Sequence, residues 1–132
     1  MNRTLVQTVA LVFGIVYLAV GVLAFLPFLG GTFGQTPHSF LGFIEINLLH
    51  NIVHLVIGIA GIAAASDRVR SRMFCQVAGV FLLVIGVLGI FVHNPVGIIP
   101  IGGFDVAIHL VTGALLAYFG FAAPQEIRRA PA

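Results

Sequence analysis

The chain has 132 residues, of which 60% are hydrophobic and only 8% are charged, whereas about 25% of the residues of a soluble domain are charged. This composition, with a mean hydropathy of +1.16, excludes a water-soluble globular domain and predicts one domain, residues 1–132, embedded in a lipid bilayer. The net charge of +2 comes from arginines at the ends of apolar segments, which indicate membrane topology and anionic-lipid contacts and exclude a nucleic-acid surface.

Four apolar segments approach the roughly 20 residues that a helix needs to cross a bilayer. They are predicted as transmembrane helices at residues 5–29, 46–65, 74–92 and 106–123. The first exceeds the hydrophobic core of a signal peptide, about 7–15 residues, so it is predicted to be a retained span. Cys75 has no second cysteine to pair with, and we interpret it as a packing residue.

All six arginines fall on one side of these predicted spans. They are Arg3, Arg68, Arg70, Arg72, Arg128 and Arg129. The positive-inside rule then predicts that both termini are cytoplasmic and that the connections at 30–45 and 93–105 are external. In the first of these, Thr36-Pro37 is typical of a helix start, so a short helix is predicted there, bending near Gly42 into the second span.

The first two spans resemble the last two in sequence. Spans one and three match at an offset of 65 residues and spans two and four at an offset of 55, and the matched pairs are Gly14 and Gly79, Gly21 and Gly86, His54 and His109, Gly58 and Gly113, with His50 opposite Asp105. This predicts a four-helix bundle made of two parallel copies of one helical hairpin, residues 1–66 and 67–132. The six glycines are predicted to let the helix backbones approach closely.

Polar residues of the second and fourth spans cluster toward their external ends. His50 and His54 are four residues apart and share a helix face. With His109, helped by Asp105 or Glu45, they would suit zinc or copper. Asn51 occupies the place of the glutamate in H-E-x-x-H, which excludes a zinc protease of that type.

Two other interpretations of these residues stay open. His54 and His109 occupy matched positions and would supply two axial ligands to a non-covalent haem, with Gly58 and Gly113 making room for the ring. Alternatively, the polar side chains form a hydrogen-bonded network that holds the helices together and binds no cofactor.

The pattern Asn51-x-x-His54-x-x-x-Gly58, its partial echo His109-x-x-x-Gly113 and the glycine-spaced stretch 79–89 resemble a family of small bacterial four-helix membrane proteins described only as a domain of unknown function. The resemblance covers nearly the whole chain. It implies the four-helix fold and a bacterial plasma membrane, and it implies no activity.

The sequence favours a non-enzymatic membrane protein that acts by association, as an accessory subunit of other membrane proteins or as a homo-oligomer. No nucleophile with a base, phosphate-binding loop or paired carboxylate site is present in the sequence. The alternative is a protein that binds a metal ion or haem through its histidines.

Overall fold

The computed structural model describes residues 3–94 and 97–123, which form four α-helices. The helices are α1 (Leu5–Leu23), α2 (Leu48–Ala64), α3 (Arg68–Phe91) and α4 (Phe104–Ala117). One π-helical turn, Tyr118–Ala122, continues α4. The predictions that concern Arg128, Arg129 and the C-terminal end lie outside the described residues.

Three helical segments are long and apolar enough to cross a membrane, namely α1, α3 and the continuous segment Phe104–Ala122. α2 is also apolar but has 17 residues, a length of about 25 Å and the short end of the range for a span. The outer faces of the helices carry exposed apolar side chains, among them Val12, Ile15, Val56, Ile59, Val77, Val84, Val111 and Leu115. Such a surface suits contact with lipid.

The first helix ends earlier than predicted. The predicted span runs to residue 29, but α1 ends at Leu23. The cause is Pro27, which has no N–H to donate and disfavours helical geometry in the residue before it. Pro27 instead begins a short 3-10 helix, Pro27–Leu29.

The third helix begins earlier than predicted, at Arg68 and not at residue 74. The Asp67 carboxylate accepts a hydrogen bond of 2.9 Å from the Arg70 N–H and caps the helix. Hydropathy omits this charged first turn. The other boundaries move less, since α2 begins two residues after the predicted 46 and α4 two residues before the predicted 106.

The connection between α1 and α2 contains a β-hairpin where the sequence predicts a short helix. Two short antiparallel strands form it, β1 (His38–Phe40) and β2 (Ile44–Ile46). The turn between them includes Gly42 with a φ of 83°, a conformation that favours glycine. The helix predicted at Thr36-Pro37 is therefore wrong, while the described residues remain mostly helical, with four helices. Phe40 and Ile46 are buried and pack on the end of α1.

Glycines bring α1 into backbone contact with α2. A Cβ added at Gly58 would lie 2.4 Å from the backbone nitrogen of Leu18, and one added at Gly14 would lie 2.6 Å from that of Ile62. Any side chain at these two positions would push the helices apart. The close approach increases the van der Waals contact that holds helices together in lipid.

The contact between α3 and α4 has the same form. A Cβ at Gly113 would lie 2.8 Å from the backbone nitrogen of Leu83, and one at Gly79 would lie 2.5 Å from that of Ala117. Leu83 lies 65 residues after Leu18, and Ala117 lies 55 residues after Ile62. Gly21 and Gly86 also face the partner helix of their pair.

The two ends of the bundle differ in charge. At one end, the Gln7 amide donates to the Ala65 carbonyl and joins the start of α1 to the end of α2. The Arg72 guanidinium donates to the Phe121 carbonyl and joins the start of α3 to the end of the segment that continues α4. The arginines before α1 and at the start of α3 therefore lie at this same end. At the other end, the Asn47 amide donates to the Ile98 carbonyl at 2.7 Å. This bond joins the two connections that leave α1 and α3, so both lie at the end opposite the arginines.

Candidate metal centre

Three histidines from two helices meet at the end of the bundle that carries the hairpin. His50 and His54 belong to α2 and His109 belongs to α4. One ring nitrogen of each lies within 4.8 Å of the others. We call these three residues the histidine cluster. The sequence predicts them as ligands of one site, and the structure brings them together.

The spacing of the cluster approaches that of a metal site. The Nε2 atoms of His50 and His54 are 3.2 Å apart. Two nitrogens bound at about 2.1 Å to one tetrahedral ion are roughly 3.4 Å apart, so this pair already has the required spacing. His109 would need to approach by roughly 1.4 Å to match that geometry.

The position of His50 is fixed by residues from both connections. Its backbone N–H donates to the Asn47 side chain at 2.9 Å, which caps α2. Its Nδ1 lies 3.1 Å from the Pro100 carbonyl oxygen. Because a carbonyl only accepts, Nδ1 carries the proton and Nε2 keeps its lone pair. His50 therefore offers Nε2 as a ligand atom.

Asp105 lies behind His109 and not among the ligand atoms. Its Oδ2 is 3.2 Å from His109 Nδ1, and both side chains are almost fully buried. The two atoms are not aligned for a good hydrogen bond. A carboxylate at the outer nitrogen of a histidine orients the ring and makes its other nitrogen a stronger ligand. The sequence suggests Asp105 as a ligand, whereas the structure gives it a position that suits this supporting role.

Asn51 connects three segments next to the cluster. Its amide group donates to the carbonyls of Ala24, at the end of α1, and Thr32, in the first connection, at 2.9 and 3.0 Å. These two acceptors fix the orientation of the amide. Asn51 Oδ1 is consequently buried without a hydrogen-bond donor among the described residues.

The other predicted polar residues lie away from the cluster. His38 is exposed in β1, His93 is exposed beyond α3, and Glu45 is exposed in β2. None of the three belongs to the cluster within the described part of the chain. Cys75 is fully buried in the apolar core between helices.

Three contributions to this region are not apparent from the sequence. They are the Pro100 carbonyl at His50, the Asn47 amide that joins the connections, and a hydrogen bond of 3.0 Å between Tyr17 and Thr112. Asn47 does carry a signal, because asparagine before an apolar helix is a common N-cap. The Pro100 contact depends on tertiary structure alone.

A haem does not fit this arrangement. The ring centroids of His54 and His109 are 6.5 Å apart, a separation that would itself suit two axial ligands, but His50 lies against both rings with its Nε2 3.2 Å from His54 Nε2. The space beside Gly58 is filled by the α1 backbone and that beside Gly113 by the α3 backbone. No room remains for a planar macrocycle, and the site suits a single ion.

The motif that contains Asn51, His54 and Gly58 lies at the centre of this site. A family model described as a domain of unknown function, DUF4383, matches residues 7–122. The chain belongs to the DUF4383 family. The match begins two residues after the start of α1 and includes the hairpin and the other three helices, so the whole histidine cluster lies within the DUF4383 domain.

This membership confirms the resemblance to a family of unknown function. No curated protein and no solved structure matches the chain. The DUF4383 description names no ligand, so any function has to be argued from the site itself.

Proposed function

We propose that the protein is a membrane-embedded metal-binding protein whose histidine cluster holds one transition-metal ion. The observation that carries this proposal is the convergence of three imidazole nitrogens from two helices within 4.8 Å. Imidazole is a ligand that zinc and copper both accept. A three-histidine set leaves a fourth coordination position for a water molecule or another small ligand.

The hydrogen bonds around the rings support this role. Because His50 Nδ1 donates to Pro100, the His50 Nε2 that faces His54 Nε2 at 3.2 Å presents a lone pair. Two lone pairs at this distance repel, so His54 must present a proton there in the metal-free protein. For both nitrogens to hold one ion, the His54 proton would have to move from Nε2 to Nδ1. His54 would then bind as a neutral imidazole, like His50, with no net release of a proton.

The charge near the cluster also supports a metal ion. Asp105 lies beside His109 at the edge of the cluster and is only 2% exposed. A buried carboxylate is costly unless a cation or hydrogen bonds compensate it. A bound cation would compensate Asp105 through His109. Polar groups at membrane depth are also typically associated with function.

The proposal includes a location in a bacterial plasma membrane with both termini in the cytoplasm. It is supported by Arg3, Arg68, Arg70 and Arg72, which lie at the end of the bundle away from the histidines. The histidine cluster then lies in the external half of the bilayer. Metal ions would reach it from outside the cell.

The proposed architecture is a duplicated hairpin of parallel repeats. The equivalent backbone contacts at Gly14 and Gly79, and at Gly58 and Gly113, support it. A pseudo-two-fold axis along the membrane normal would then pass near the cluster. It would relate His54 to His109 and His50 to Asp105.

Metal analysis of purified protein tests the proposed site. The protein is extracted in a mild detergent, loaded separately with Zn²⁺ and with Cu⁺ under reducing conditions, and analysed for bound metal after dialysis. We expect about one ion per chain, with the affinity reduced more than about 100-fold in His54→Ala and in His109→Ala.

His38→Ala is the matched control, because His38 is exposed in β1. It should keep the full metal content and affinity of the unmodified protein. Metal-free protein after both loadings would contradict the proposal. Equal metal content in His54→Ala and the unmodified protein would contradict it as well.

A second candidate function is association without catalysis, as an accessory subunit or an oligomer. An apolar groove of about 650 Å³ between α2 and α3 favours it, because a neighbouring helix would fill such a groove. Its walls include Ile52, Val56, Ala60, Met73, Val77 and Phe81. Co-purification of other membrane subunits at fixed stoichiometry, or a defined oligomer, would support this role. A stable lone monomer would contradict it.

A further inference from the structure

Two clefts lie on opposite sides of the histidine cluster, in equivalent positions of the two helix pairs. The first lies between α1 and α4 and includes Val16, Val20 and Ile108 in its walls. The second lies between α3 and α2 and includes Phe81, Ile85 and Val53. Phe81 and Ile85 follow Val16 and Val20 by 65 residues, and Ile108 follows Val53 by 55. The clefts are therefore directly comparable.

The two clefts differ strongly in volume. The first has a cavity of about 160 Å³ and the second a cavity of only about 20 Å³. Larger side chains fill the second, where Phe81 and Ile85 replace two valines and Ile99 and Ile101 enter from the second connection. Packing such as that in the second cleft is the ordinary state of a protein interior. The first cleft is the exception that needs an explanation.

Both cavities reach the three histidines of the cluster, but the first has further polar side chains in its inner wall. The Thr112 hydroxyl donates to the Ile108 carbonyl at 2.7 Å, so the Tyr17 hydroxyl donates to Thr112. The Tyr17 oxygen is left with free acceptor lone pairs. The equivalent residues in the second cleft are Leu82 and Ile57, which have no hydrogen-bonding side chains.

Asn51 presents a second acceptor at this inner wall. It lines the cavity, and its Oδ1 is buried without a hydrogen-bond donor among the described residues. Asn51 is only 1% exposed. A buried acceptor without a donor is costly, typically about 1–3 kcal/mol. The inner wall is thus suited to a ligand that donates hydrogen bonds.

The size and walls of the cavity define the rest of the ligand. A cavity of about 150 Å³ lined by apolar side chains accommodates one benzene ring. The walls beyond the polar end are apolar, with Phe40 and Ile44 of the hairpin facing Ile108 of α4. Val16 and Leu41 are about half exposed, so the cavity reaches the outer surface of the bundle between α1 and the hairpin.

We propose that this cavity binds a single-ring aromatic alcohol, a phenol or the head group of a hydroquinone, which enters sideways from the lipid. The ring packs between Phe40 and Ile108, and its hydroxyl group donates to the unpaired oxygens of Asn51 or Tyr17. The ligand lies next to the histidine cluster. Its binding does not require a metal ion there, so this proposal goes beyond the metal site.

Ligand-observed NMR titration of the purified protein tests the cavity. The probes are phenol, hydroquinone, a hydroquinone with a ten-carbon tail, and toluene as a ring without a hydroxyl. We expect phenol and hydroquinone to bind at least tenfold more tightly than toluene. Tighter binding of the tailed compound would identify a lipid-soluble quinol as the source, and equal binding would identify a free phenol. Equal affinity for toluene and phenol would overturn the proposal.

Variants that copy the closed cleft provide the structural test. Val16→Phe places in the first cleft the side chain that fills the second, and it should weaken phenol binding at least tenfold. Phe81→Val is the matched control on the other side and should leave phenol affinity unchanged. Tyr17→Phe should weaken phenol binding about fivefold and leave toluene binding unchanged.

Metal content separates this proposal from the metal site. Val16→Phe should retain the metal content of the unmodified protein, and an unchanged helix content by circular dichroism shows independently that the variant is folded. Unchanged phenol affinity in a folded Val16→Phe variant would overturn the cavity proposal and leave the metal site standing. If the unmodified protein bound no metal, that result would contradict only the proposed metal site and not the proposed phenol cavity.

Discussion

The helix pair α1 and α2 and the helix pair α3 and α4 have the same packing and different polar residues. Buried positions of α1 reappear in α3 at an offset of 65: Ala10, Gly14, Tyr17 and Gly21 correspond to Cys75, Gly79, Leu82 and Gly86. Around the histidine cluster, however, Tyr17 corresponds to Leu82, Asn51 to Val106, and His50 to Asp105. The shared residues hold the backbones together, and the differing residues give the centre its chemistry.

This comparison shows that the packing and the chemistry of the bundle vary independently. Small residues at helix crossings have few alternatives, because the backbones touch there. Positions one or two turns away tolerate tyrosine or leucine, and asparagine or valine. Substitutions at shared positions should therefore affect folding, and substitutions at differing positions should affect binding or local structure.

The largest effect is expected at a shared glycine. Gly58→Leu places a side chain where even a Cβ lies 2.4 Å from the α1 backbone, so the unfolding free energy should fall by more than about 3 kcal/mol. Gly113→Leu should behave alike in the second pair. Denaturant titration in detergent measures the change. Gly34→Ala is the control, because the nearest atom to its Cβ is 3.5 Å away, and a large loss there would show that any added methyl group disrupts this protein.

A smaller effect is expected at Asp105, which differs between the two pairs. Asp105→Asn removes the charge behind His109 and should weaken metal binding about 10- to 100-fold while the helix content stays unchanged. Competition with a chromophoric chelator measures the affinity. Glu45→Gln, an exposed carboxylate of β2, should leave the affinity unchanged. If both variants bound metal equally well, Asp105 would have no supporting role.

Asn51→Val makes the first pair resemble the second at one position, where Val106 is the equivalent residue. The carbonyls of Ala24 and Thr32 lose their side-chain donor, and the unfolding free energy should fall by about 1–2 kcal/mol. Thermal unfolding in detergent measures the change. Val106→Ala in the other pair is the control, because it removes no hydrogen bond. If the loss of unfolding free energy in Asn51→Val comes from its hydrogen bonds, Val106→Ala should not show it.

The smallest effect on stability is expected at Tyr17. Tyr17→Phe removes one hydrogen bond of 3.0 Å to Thr112, and the unfolding free energy should fall by about 1 kcal/mol. Thr112→Val removes the same bond from the other side and should cost a similar amount. If the double variant loses no more unfolding free energy than either single variant, the loss comes from this hydrogen bond. Fully additive effects would show that the two side chains act independently.

The sequence was sufficient to predict the helices because apolar segments of this length have few alternatives. It was less reliable where a local interaction overrides hydropathy. Pro27 ends α1 early, and the Asp67 cap begins α3 within a charged segment. The β-hairpin was missed although His38-Ser39-Phe40 and Ile44-Glu45-Ile46 alternate in polarity around a glycine-containing turn, a pattern that favours a hairpin.

Helical periodicity and the matched spans indicate that His50, His54 and His109 lie toward the same end of the bundle. The sequence does not show that their rings converge, and it does not show the surrounding contacts, since the Pro100 carbonyl reaches His50 across 50 residues of sequence. The cavity between α1 and α4 was equally hidden. The cavity depends on which side chains of α1 and α4 come together, and these two helices are far apart in the sequence.

The three histidines of the cluster come from both helix pairs, which bears on the order of assembly. Each pair is formed by neighbouring segments joined through glycine contacts, so each hairpin is suited to insert and close as a unit while the chain is being synthesised. The cluster is different, because His109 is in the second hairpin and His50 and His54 are in the first. An ion held by all three would bridge the hairpins, and its binding would mark the moment at which the independently inserted units have joined.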